Sequence, residues 1–181
     1  MSHKHALTLN SKGGLLRVLK STIGVSVPFV GDPAGQKDLS IKSFEGVWDT
    51  GATGTVITKK VVDALKLKPT GQTDVYTAKG KSTTNKYLVN IYLPMNVGIQ
   101  GVNVTEGDLY EADLLIGMDI ISMGDFSITH REGNTKMSFG IPSTESHDYV
   151  ARIKSSNEAL ESKRKCPCGS GKKYKYCHGK I

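Results

Sequence analysis

The sequence predicts a mainly β domain followed by a short tail of different composition. Its 181 residues include 20 glycines, and Val, Ile and Thr recur in short runs, which is typical of many short strands joined by turns. Hydrophobic residues make up 38% of the chain and charged residues 23%, the balance of a globular rather than a disordered protein. The length suits one domain of ordinary size and an appendage.

The first third of the chain predicts strands and one helix. Residues 22–30 are rich in β-branched side chains and end in the turn signal GDPAG, and residues 38–44 alternate polar and apolar side chains. Extended structure is expected again at residues 55–58. Residues 59–67 predict a helix, with an apolar face formed by Val61, Val62 and Leu65.

A long hairpin is expected next, over residues 73–93. Its turn lies near residues 79–81, where the central glycine permits the positive φ of a tight turn. The elements expected after it are a strand at 97–104, a strand buried on both faces at 112–118, a helical turn at 119–124, a hairpin of 126–129 with 136–139, and a polar linker or exposed helix from 143 to 165.

The basic charge is concentrated at the C-terminus. The net charge is +7, but residues 163–181 carry seven basic side chains and no acidic one, which leaves 17 of each sign elsewhere. All three cysteines lie in the same stretch, and an odd number argues against a disulfide framework. The N-terminus lacks the apolar core of a secretion signal and no apolar run reaches membrane-spanning length, so we expect a cytoplasmic protein without membrane contact.

The stretch VWDTGATGTVIT, residues 47–58, places Asp49 among small residues directly after apolar ones. A substrate can approach a carboxylate in such a turn, although a β-turn in which Asp49 caps its own backbone is the purely structural alternative. Two carboxylates about 3 Å apart share a proton, so that one acts as base and the other as acid in amide hydrolysis. The chain contains one Asp-Thr-Gly, and a pair of carboxylates therefore requires two chains about a twofold axis.

Together with the later run ADLLIGMDII, this stretch resembles the retropepsin-like aspartic proteases. The matching segments are residues 47–56 and 114–117, and the hairpin of residues 73–93 lies where the family places its flap. The resemblance implies a closed, mostly antiparallel acid-protease-type barrel with one or two short helices. It also implies a homodimeric aspartic endopeptidase that cleaves a peptide or protein substrate.

The resemblance assigns roles to individual residues. Asp49 would be the catalytic carboxylate, Thr50 would form a hydroxyl network beneath the carboxylate pair, and Gly51 would bind substrate backbone. Substrate contacts are expected in the turn and along the flap, at Ala52, Tyr76, Thr77, Ala78, Lys79 and Gly80.

The chain departs from the viral pattern at one charge pair. Viral members often carry Asp and Arg where this sequence has Thr53 and Met118, and because both are absent no buried charge is left unpaired. Asp119 is expected to be structural and to cap the short helix. Trp48 is expected to pack in or near the subunit interface.

The tail CPCGSGKKYKYCHG contains three thiols and one imidazole, a complete tetrahedral ligand set for a structural Zn²⁺. The predicted ligands are Cys166, Cys168, Cys177 and His178. The stretch closely resembles the SEC-C motif of the SecA translocation ATPase and assorted bacterial proteins. In SecA the motif docks onto the chaperone SecB and can touch the ribosome, so the partners implied are an acidic protein, a chaperone or a ribosome.

These features predict an N-terminal extension (residues 1–20), a retropepsin-like domain (21–142), a polar linker or helix (143–162) and the SEC-C motif (163–181). The preferred hypothesis is a homodimeric aspartic endopeptidase whose zinc knuckle recruits a partner. The alternative is a catalytically inactive dimer of the same fold that acts as a binding module through its basic tail.

Overall fold

The computed structural model describes residues 4–29, 40–77, 80–95 and 97–179, with backbone alone at residues 77, 161 and 162. Its contacts divide the chain into two compact units, residues 1–144 and 145–181. The first unit contains, in chain order, β1 (His5–Asn10), β2 (Lys20–Ser26), β3 (Lys42–Trp48), β4 (Val56–Ile57), α1 (Lys59–Leu65), β5 (Gly71–Thr77), β6 (Gly80–Leu93), β7 (Val97–Glu106), β8 (Leu114–Ile116), α2 (Met118–Ile121), β9 (Asp125–Thr129) and β10 (Lys136–Ile141). The second contains α3 (Tyr149–Lys163).

Six strands of the first unit close into a barrel. Their order is β2-β3-β8-β4-β7-β6, and β6 pairs back onto β2 to complete the ring. The strand β5 pairs with β6 outside the ring as a hairpin. Most pairs are antiparallel, while β3–β8 and β4–β7 are parallel. The mainly β closed barrel that the resemblance implies is therefore confirmed.

The barrel interior is filled by alternate side chains of its strands. On β2 the side chains of Ile23 and Val25 are fully buried, and on β6 those of Val89 and Ile91 are too. β-branched residues at every second position fit this pleated, half-buried surface, which is why the sequence pattern predicted these strands.

A second sheet, of order β1-β10-β9, is antiparallel throughout. The hairpin expected near residues 126–139 forms its β9–β10 half. The strand β1 was not predicted, because it lies in the stretch assigned to an N-terminal extension. It pairs with β10 over its whole length, and its Leu7 is buried in the core.

Trp48, at the end of β3, packs in the core of its own chain. Its side chain is 5% exposed, its Nε1–H donates to Ser21 Oγ at 2.9 Å, and its ring centroid lies 5.8 Å from that of Phe126 and 5.5 Å from that of Phe139. These contacts bury the indole between the barrel and the second sheet of its own chain. The expected place of Trp48 in or near a subunit interface stays a prediction.

The other elements agree with the sequence in kind and differ in their limits. The helix expected at 59–67 is α1, whose Val61, Val62 and Leu65 are buried as predicted. The strand expected at 38–44 is shifted to β3, since the two-residue burial pattern continues through Gly46 to Trp48. The strand β8 is shorter than residues 112–118, because α2 begins at Met118. The turn signal GDPAG lies outside the described residues.

The second unit begins with the helix expected from its polar composition. The Asp148 carboxylate accepts hydrogen bonds from the backbone N–H groups of Val150 and Ala151 at 2.9 and 3.0 Å, which caps α3 at its N-terminus. The apolar side chains of α3 are exposed. Within the described part of the chain, no helix combines the length and the hydropathy needed to cross a membrane.

Candidate active site

Asp49 directly follows β3 and begins a tight turn. Its N–H donates to Ile116 O at 3.0 Å, which continues the parallel β3–β8 pairing by one residue. Its half-buried carboxylate accepts the Gly51 N–H on Oδ1 at 2.8 Å. Among the described residues, Oδ2 has no hydrogen-bond partner. The self-capping bond of the structural alternative is thus present, and it leaves the second oxygen available for chemistry.

The turn leaves little space for a side chain at position 51. A Cβ atom at position 51 would lie 3.2 Å from Asp49 Oδ1, and the Ala52 N–H closes the turn onto Asp49 O at 3.3 Å. Thr50 is exposed and Ala52 is half-buried. The three residues expected to be catalytic, Asp49 to Gly51, and the expected substrate contact Ala52 therefore lie in one turn, in which Thr50 and Gly51 are exposed.

The start of α2 clamps the residues that follow this turn. The Met118 N–H donates to Ala52 O at 2.8 Å and the Asp119 N–H donates to Thr53 O at 3.2 Å. At Gly117, a Cβ atom would lie 2.5 Å from the carbonyl carbon and oxygen of Gly54. Glycine is therefore required where the two segments cross, which explains the glycine of the LLIG run.

Asp119 completes the clamp with its side chain. Its Oδ2 accepts the Thr55 N–H at 2.9 Å and its Oδ1 accepts the Thr55 hydroxyl at 2.8 Å. The hydroxyl in turn accepts the Gly117 N–H at 3.2 Å, and Thr55 is 1% exposed. The expectation that Asp119 caps α2 is confirmed in part: the N-cap residue is Gly117, without a side-chain cap bond, but Asp119 Oδ1 accepts the Ile120 N–H in the first turn at 3.0 Å. The Asp119 carboxylate therefore holds Thr55 and also satisfies one N–H group at the start of α2.

A cavity of about 440 Å³ opens beside Asp49 and Thr50. Its other walls come from the segment before β2 and from β9, and they include Leu16, Arg17, Val18, Leu19, Phe126, Ile128 and His130. Several of these side chains are apolar and exposed, with Val18 at 51% and Ile128 at 41%. Sequence reasoning missed this wall, because nothing local indicates that residues 16–19 and 126–130 meet at the Asp-Thr-Gly turn.

His130 is exposed and belongs to this wall. Its Nδ1 lies 3.1 Å from Thr135 Oγ1, and the same hydroxyl accepts the Leu16 N–H at 2.9 Å. The buried Thr135 therefore links the wall on the β9 side to the segment before β2.

The expected flap is the hairpin β5–β6. Tyr76 is 78% exposed on β5, and Gly80 begins β6 with φ of +109°. Ala78 and Lys79 lie outside the described residues, and only the backbone of Thr77 is described. Of the two residues whose side chains or full backbone are described, neither Tyr76 nor Gly80 lines the cavity at Asp49.

The hairpin is braced by an ion pair across its strands. Lys81 Nζ lies 2.7 Å from Asp74 Oδ2, and the Thr83 hydroxyl donates to Asp74 Oδ1 at 2.8 Å. The hydrogen bond from Lys81, followed by that from Thr83, lowers the pKa of Asp74 below its ordinary value. Cross-strand partners of this kind hold the hairpin in register.

In the second unit the four predicted metal ligands converge. One ligand atom from each of Cys166, Cys168, Cys177 and His178 lies within 4.8 Å of all the others. Cys166 Sγ is 3.1 Å from His178 Nδ1, and Cys168 Sγ is 3.6 Å from Cys177 Sγ. A tetrahedral zinc with Zn–S of about 2.3 Å and Zn–N of about 2.0 Å separates its ligand atoms by roughly 3.5 Å, so the cluster fits this ion.

Backbone geometry shapes this cluster. The Cys166 N–H donates to Lys172 O at 2.8 Å, and Gly169 and Gly171 turn the intervening chain with φ of +76° and +68°. A hydrogen bond from the Cys168 backbone N–H is the main cause that lowers the pKa of Cys166 to about 7. The lowered pKa favours the thiolate form of Cys166, the form that binds metal. The pKa of Cys177 is raised, because the lowering hydrogen bond with Ser170 is outweighed by its contacts with Cys168 and Cys166.

The comparisons with known proteins agree with both motifs. Residues 39–123 match the family model described as gag-polyprotein putative aspartyl protease, and residues 165–180 match the SEC-C motif. Similar solved structures include EIAV protease complexed with the inhibitor HBY-793, at 18% identity over 60% of this chain and 88% of that one, with a TM-score of 0.45. Another is a retropepsin-like aspartic protease from Rickettsia conorii, at 15% identity over 78% of this chain and 98% of that one, with a TM-score of 0.44. A comparison with curated proteins finds no match.

The family model that residues 39–123 match includes the Asp-Thr-Gly-Ala turn at the end of β3, and the closed barrel around this turn is the fold that the resemblance to retropepsin-like aspartic proteases implies. The chain adds to this domain a C-terminal SEC-C motif with a Cys₃His cluster compatible with zinc. Both resemblances drawn from the sequence are therefore confirmed.

Proposed function

We propose that the protein is a homodimeric aspartic endopeptidase that hydrolyses peptide bonds with a water held between two Asp49 carboxylates. The observation that carries the proposal is the geometry of Asp49. The side chain stands on a clamped turn, uses one oxygen to fix that turn and leaves the other beside an open cavity. One chain offers one such carboxylate at this turn, so a second copy must supply the other.

The chemistry follows from two carboxylates that share one proton. The ionised Asp49 takes a proton from water while the protonated Asp49 of the partner subunit gives one to the substrate carbonyl oxygen. The hydrogen bonds from Met118, Asp119 and Gly117 to residues 52–55 keep the turn in place during this exchange. Such rigidity avoids reorganisation at the moment of reaction.

The remaining roles follow the expected pattern. Thr50 joins the two turns through its hydroxyl group, and Gly51 and Ala52 bind an extended substrate through their backbone. The flap residues Tyr76, Thr77, Ala78, Lys79 and Gly80 close over the substrate with main-chain hydrogen bonds, as in other strand-addition complexes.

For the tail we propose a structural Zn²⁺ held by Cys166, Cys168, Cys177 and His178. The ion would hold the short tail in one conformation, since so small a segment has too little core to fold alone. Exposed lysines and Arg164 then form a cationic knob that recruits an acidic protein, a chaperone or a ribosome to a cytoplasmic enzyme. We propose a protease-like domain over residues 21–142, a linker or helix over 143–162 and the motif over 163–181. The N-terminal extension, residues 1–20, contributes β1, which pairs with β10 of the domain.

A peptide-library cleavage assay with purified full-length protein tests the proposal. Asp49→Asn should reduce cleavage by about a thousandfold at acidic to neutral pH, because it removes the shared proton. The matched control is Asp108→Asn, which changes an exposed carboxylate that does not line the cavity at Asp49. Equal cleavage by the Asp49→Asn variant would refute the mechanism. If neither the wild-type dimer nor the control cleaves any peptide, the binding-module alternative replaces it.

A further inference from the structure

The helix α3 carries large apolar side chains in solvent. Every side chain of α3 that the structure describes is exposed, with Val150 at 63%, Ile153 at 58% and Leu160 at 69%. A helix of 15 residues is marginal in water by itself, because most helical stability in proteins comes from the packing of an apolar face. A partner that covers these side chains would therefore stabilise the helix.

The apolar side chains of α3 follow a heptad pattern. Val150 and Asn157 lie seven residues apart, and Ile153 and Leu160 follow each of them by three. These four residues, the α3 stripe, lie along one face of the helix and occupy the a and d positions of a coiled coil. Valine at a, leucine at d and a single asparagine at an a position all favour two parallel strands.

We propose that the α3 stripe pairs with the α3 stripe of a second copy of the chain, the two helices running parallel about a twofold axis. Each a residue of a parallel pair meets its own counterpart, so Asn157 shares a hydrogen bond with the partner's Asn157. An antiparallel pair would place Asn157 against the partner's Ile153 and bury an amide without a partner. The inference rests on the proposed function, since a homodimer is already required there.

The polar residues of α3 favour a second copy over an unrelated apolar partner. Across a parallel pair, Tyr149 faces the partner's Lys154, so that no like charges meet and the ammonium group can lie against the ring. Arg152 and Glu158 lie on the outer side of each helix, at positions c and b of the heptad. An apolar surface would leave the amide of Asn157 unsatisfied, whereas an isologous contact satisfies it with the same residue.

The α3 stripe is too small to hold two chains together by itself. Full burial of one such apolar side chain hides on the order of 100 Å² of surface, so the six in a pair, each 58–69% exposed, would hide roughly 400 Å². Stable interfaces bury about 1,200 Å² or more. The helix pair is therefore a second contact in a dimer that the protease-like units also form, and two linked contacts bind more tightly than either alone.

The pairing makes the basic tail bivalent. The Tyr174 N–H donates to Arg164 O at 2.8 Å, which attaches the SEC-C motif directly to the end of α3. Parallel helices therefore carry both Cys₃His clusters at the same end of the pair. An acidic partner with two binding patches would meet two cationic knobs at once, which raises its avidity.

Cysteine cross-linking of the full-length protein, saturated with zinc to occupy its native thiols, tests the orientation. Asn157→Cys should give a covalent dimer under mild oxidation, because a parallel pair places the two copies of this position side by side within the reach of a disulfide. Mass spectrometry should identify a peptide that joins residue 157 to residue 157. The matched control Ser155→Cys, on the outer face of the helix, should stay monomeric on a non-reducing gel, as should the wild type.

Two substitutions test the same stripe without cysteine chemistry. Ile153→Lys should raise the dimer dissociation constant at least about tenfold in sedimentation equilibrium, because two like charges replace apolar contacts at a d position. Asn157→Val should lower it by about fivefold or more, because asparagine at an a position gains specificity at a cost in stability. The control Ser155→Lys should leave it unchanged, and the fluorescence of Trp48 should report an intact first unit in all three.

The outcomes separate this inference from the proposed function. A wild-type dissociation constant in Ile153→Lys, or equal cross-linking at Ser155→Cys and Asn157→Cys, would overturn the α3 pairing even if cleavage depends on Asp49. A shifted Trp48 unfolding transition in Ile153→Lys with an unchanged dissociation constant would assign the stripe to the first unit of its own chain and overturn the pairing too. Cross-linking at Asn157→Cys without Asp49-dependent cleavage would support the pairing and reject the protease.

Discussion

The contact between Asp119 and Thr55 is expected to carry a measurable share of the stability of the first unit. The carboxylate accepts two hydrogen bonds, at 2.9 and 2.8 Å, from a threonine that is 1% exposed. Hydrogen bonds to a charged group contribute about 1.5–3 kcal/mol each. Because Asp119 itself is exposed and water can replace part of the loss, we take the lower end of that range. Asp119→Ala should then cost about 3 kcal/mol in total.

That loss is large against a total stability of about 5–15 kcal/mol. For a unit of this size it corresponds to a fall of roughly 10 °C in Tm. Trp48, the single tryptophan of the chain and 5% exposed, reports unfolding of this unit by fluorescence. Asp119→Asn keeps one acceptor oxygen and should lose about half as much. Asp148→Ala removes a cap in the other unit and should leave the Trp48 transition unchanged.

A double-mutant cycle with Thr55→Val isolates the interaction itself. Thr55→Val removes the hydroxyl hydrogen bond to Asp119 and keeps the bond from the backbone N–H of residue 55. Because Asp119→Ala removes the hydroxyl bond as well, the two effects on the free energy of unfolding should fall short of additivity by about 1 kcal/mol or more. A shift of less than about 2 °C in Asp119→Ala would refute the clamp. Strict additivity with Thr55→Val would refute it too.

Two further predictions concern the tail and the flap. Removal of zinc with a chelator should collapse the dispersed NMR amide signals of residues 165–179 while the Trp48 unfolding transition stays in place, and a shifted transition would contradict an independently folded barrel. At the flap, Lys81 and Thr83 lower the pKa of Asp74 below its ordinary value of 3.8, so the brace is intact above that pH and is lost as the pH falls through the lowered pKa. Hydrogen-exchange protection of β5 should therefore hold from neutral pH to about pH 4 and weaken only below it, whereas Asp74→Asn should show no such step. A loss of protection near neutral pH would show that a group other than Asp74 controls the stability of this hairpin.

The sequence predicted those parts of the fold that a local pattern encodes. The alternation around Ile23 and Val89 predicts a strand with one face toward a core, and the apolar face of α1 predicts its burial. The strand β1 escaped prediction because its partner β10 lies more than a hundred residues away and its own pattern is short. Burial of Trp48 against Phe126 and Phe139 also depends on contacts between distant parts of the sequence. A large aromatic residue beside the Asp-Thr-Gly motif does not indicate by itself which surface it packs against.

For the candidate site, the motif predicted the residues of the turn but not what holds or surrounds it. The residues of Asp-Thr-Gly and of Cys-x-Cys are close neighbours in the sequence. Each motif can therefore be recognised from the residue types and their spacing alone. Thr55 and Asp119 are 64 positions apart, and either side chain could have bonded elsewhere. The same holds for Val18 and Ile128, which become one cavity wall only after the barrel and the second sheet have formed.

The pairing of β1 with β10 has a consequence for proteolytic removal of the N-terminal residues. The six residues His5–Asn10 supply the outer strand of the second sheet and bring Leu7, 2% exposed, into the core. A protease that removed the residues up to and including Asn10 would remove β1 and expose Met137 and Phe139. It would also leave β10 as a new open edge of the sheet, which favours aggregation. Trimming at this end should therefore destabilise the first unit, because the second sheet would lose one of its three strands.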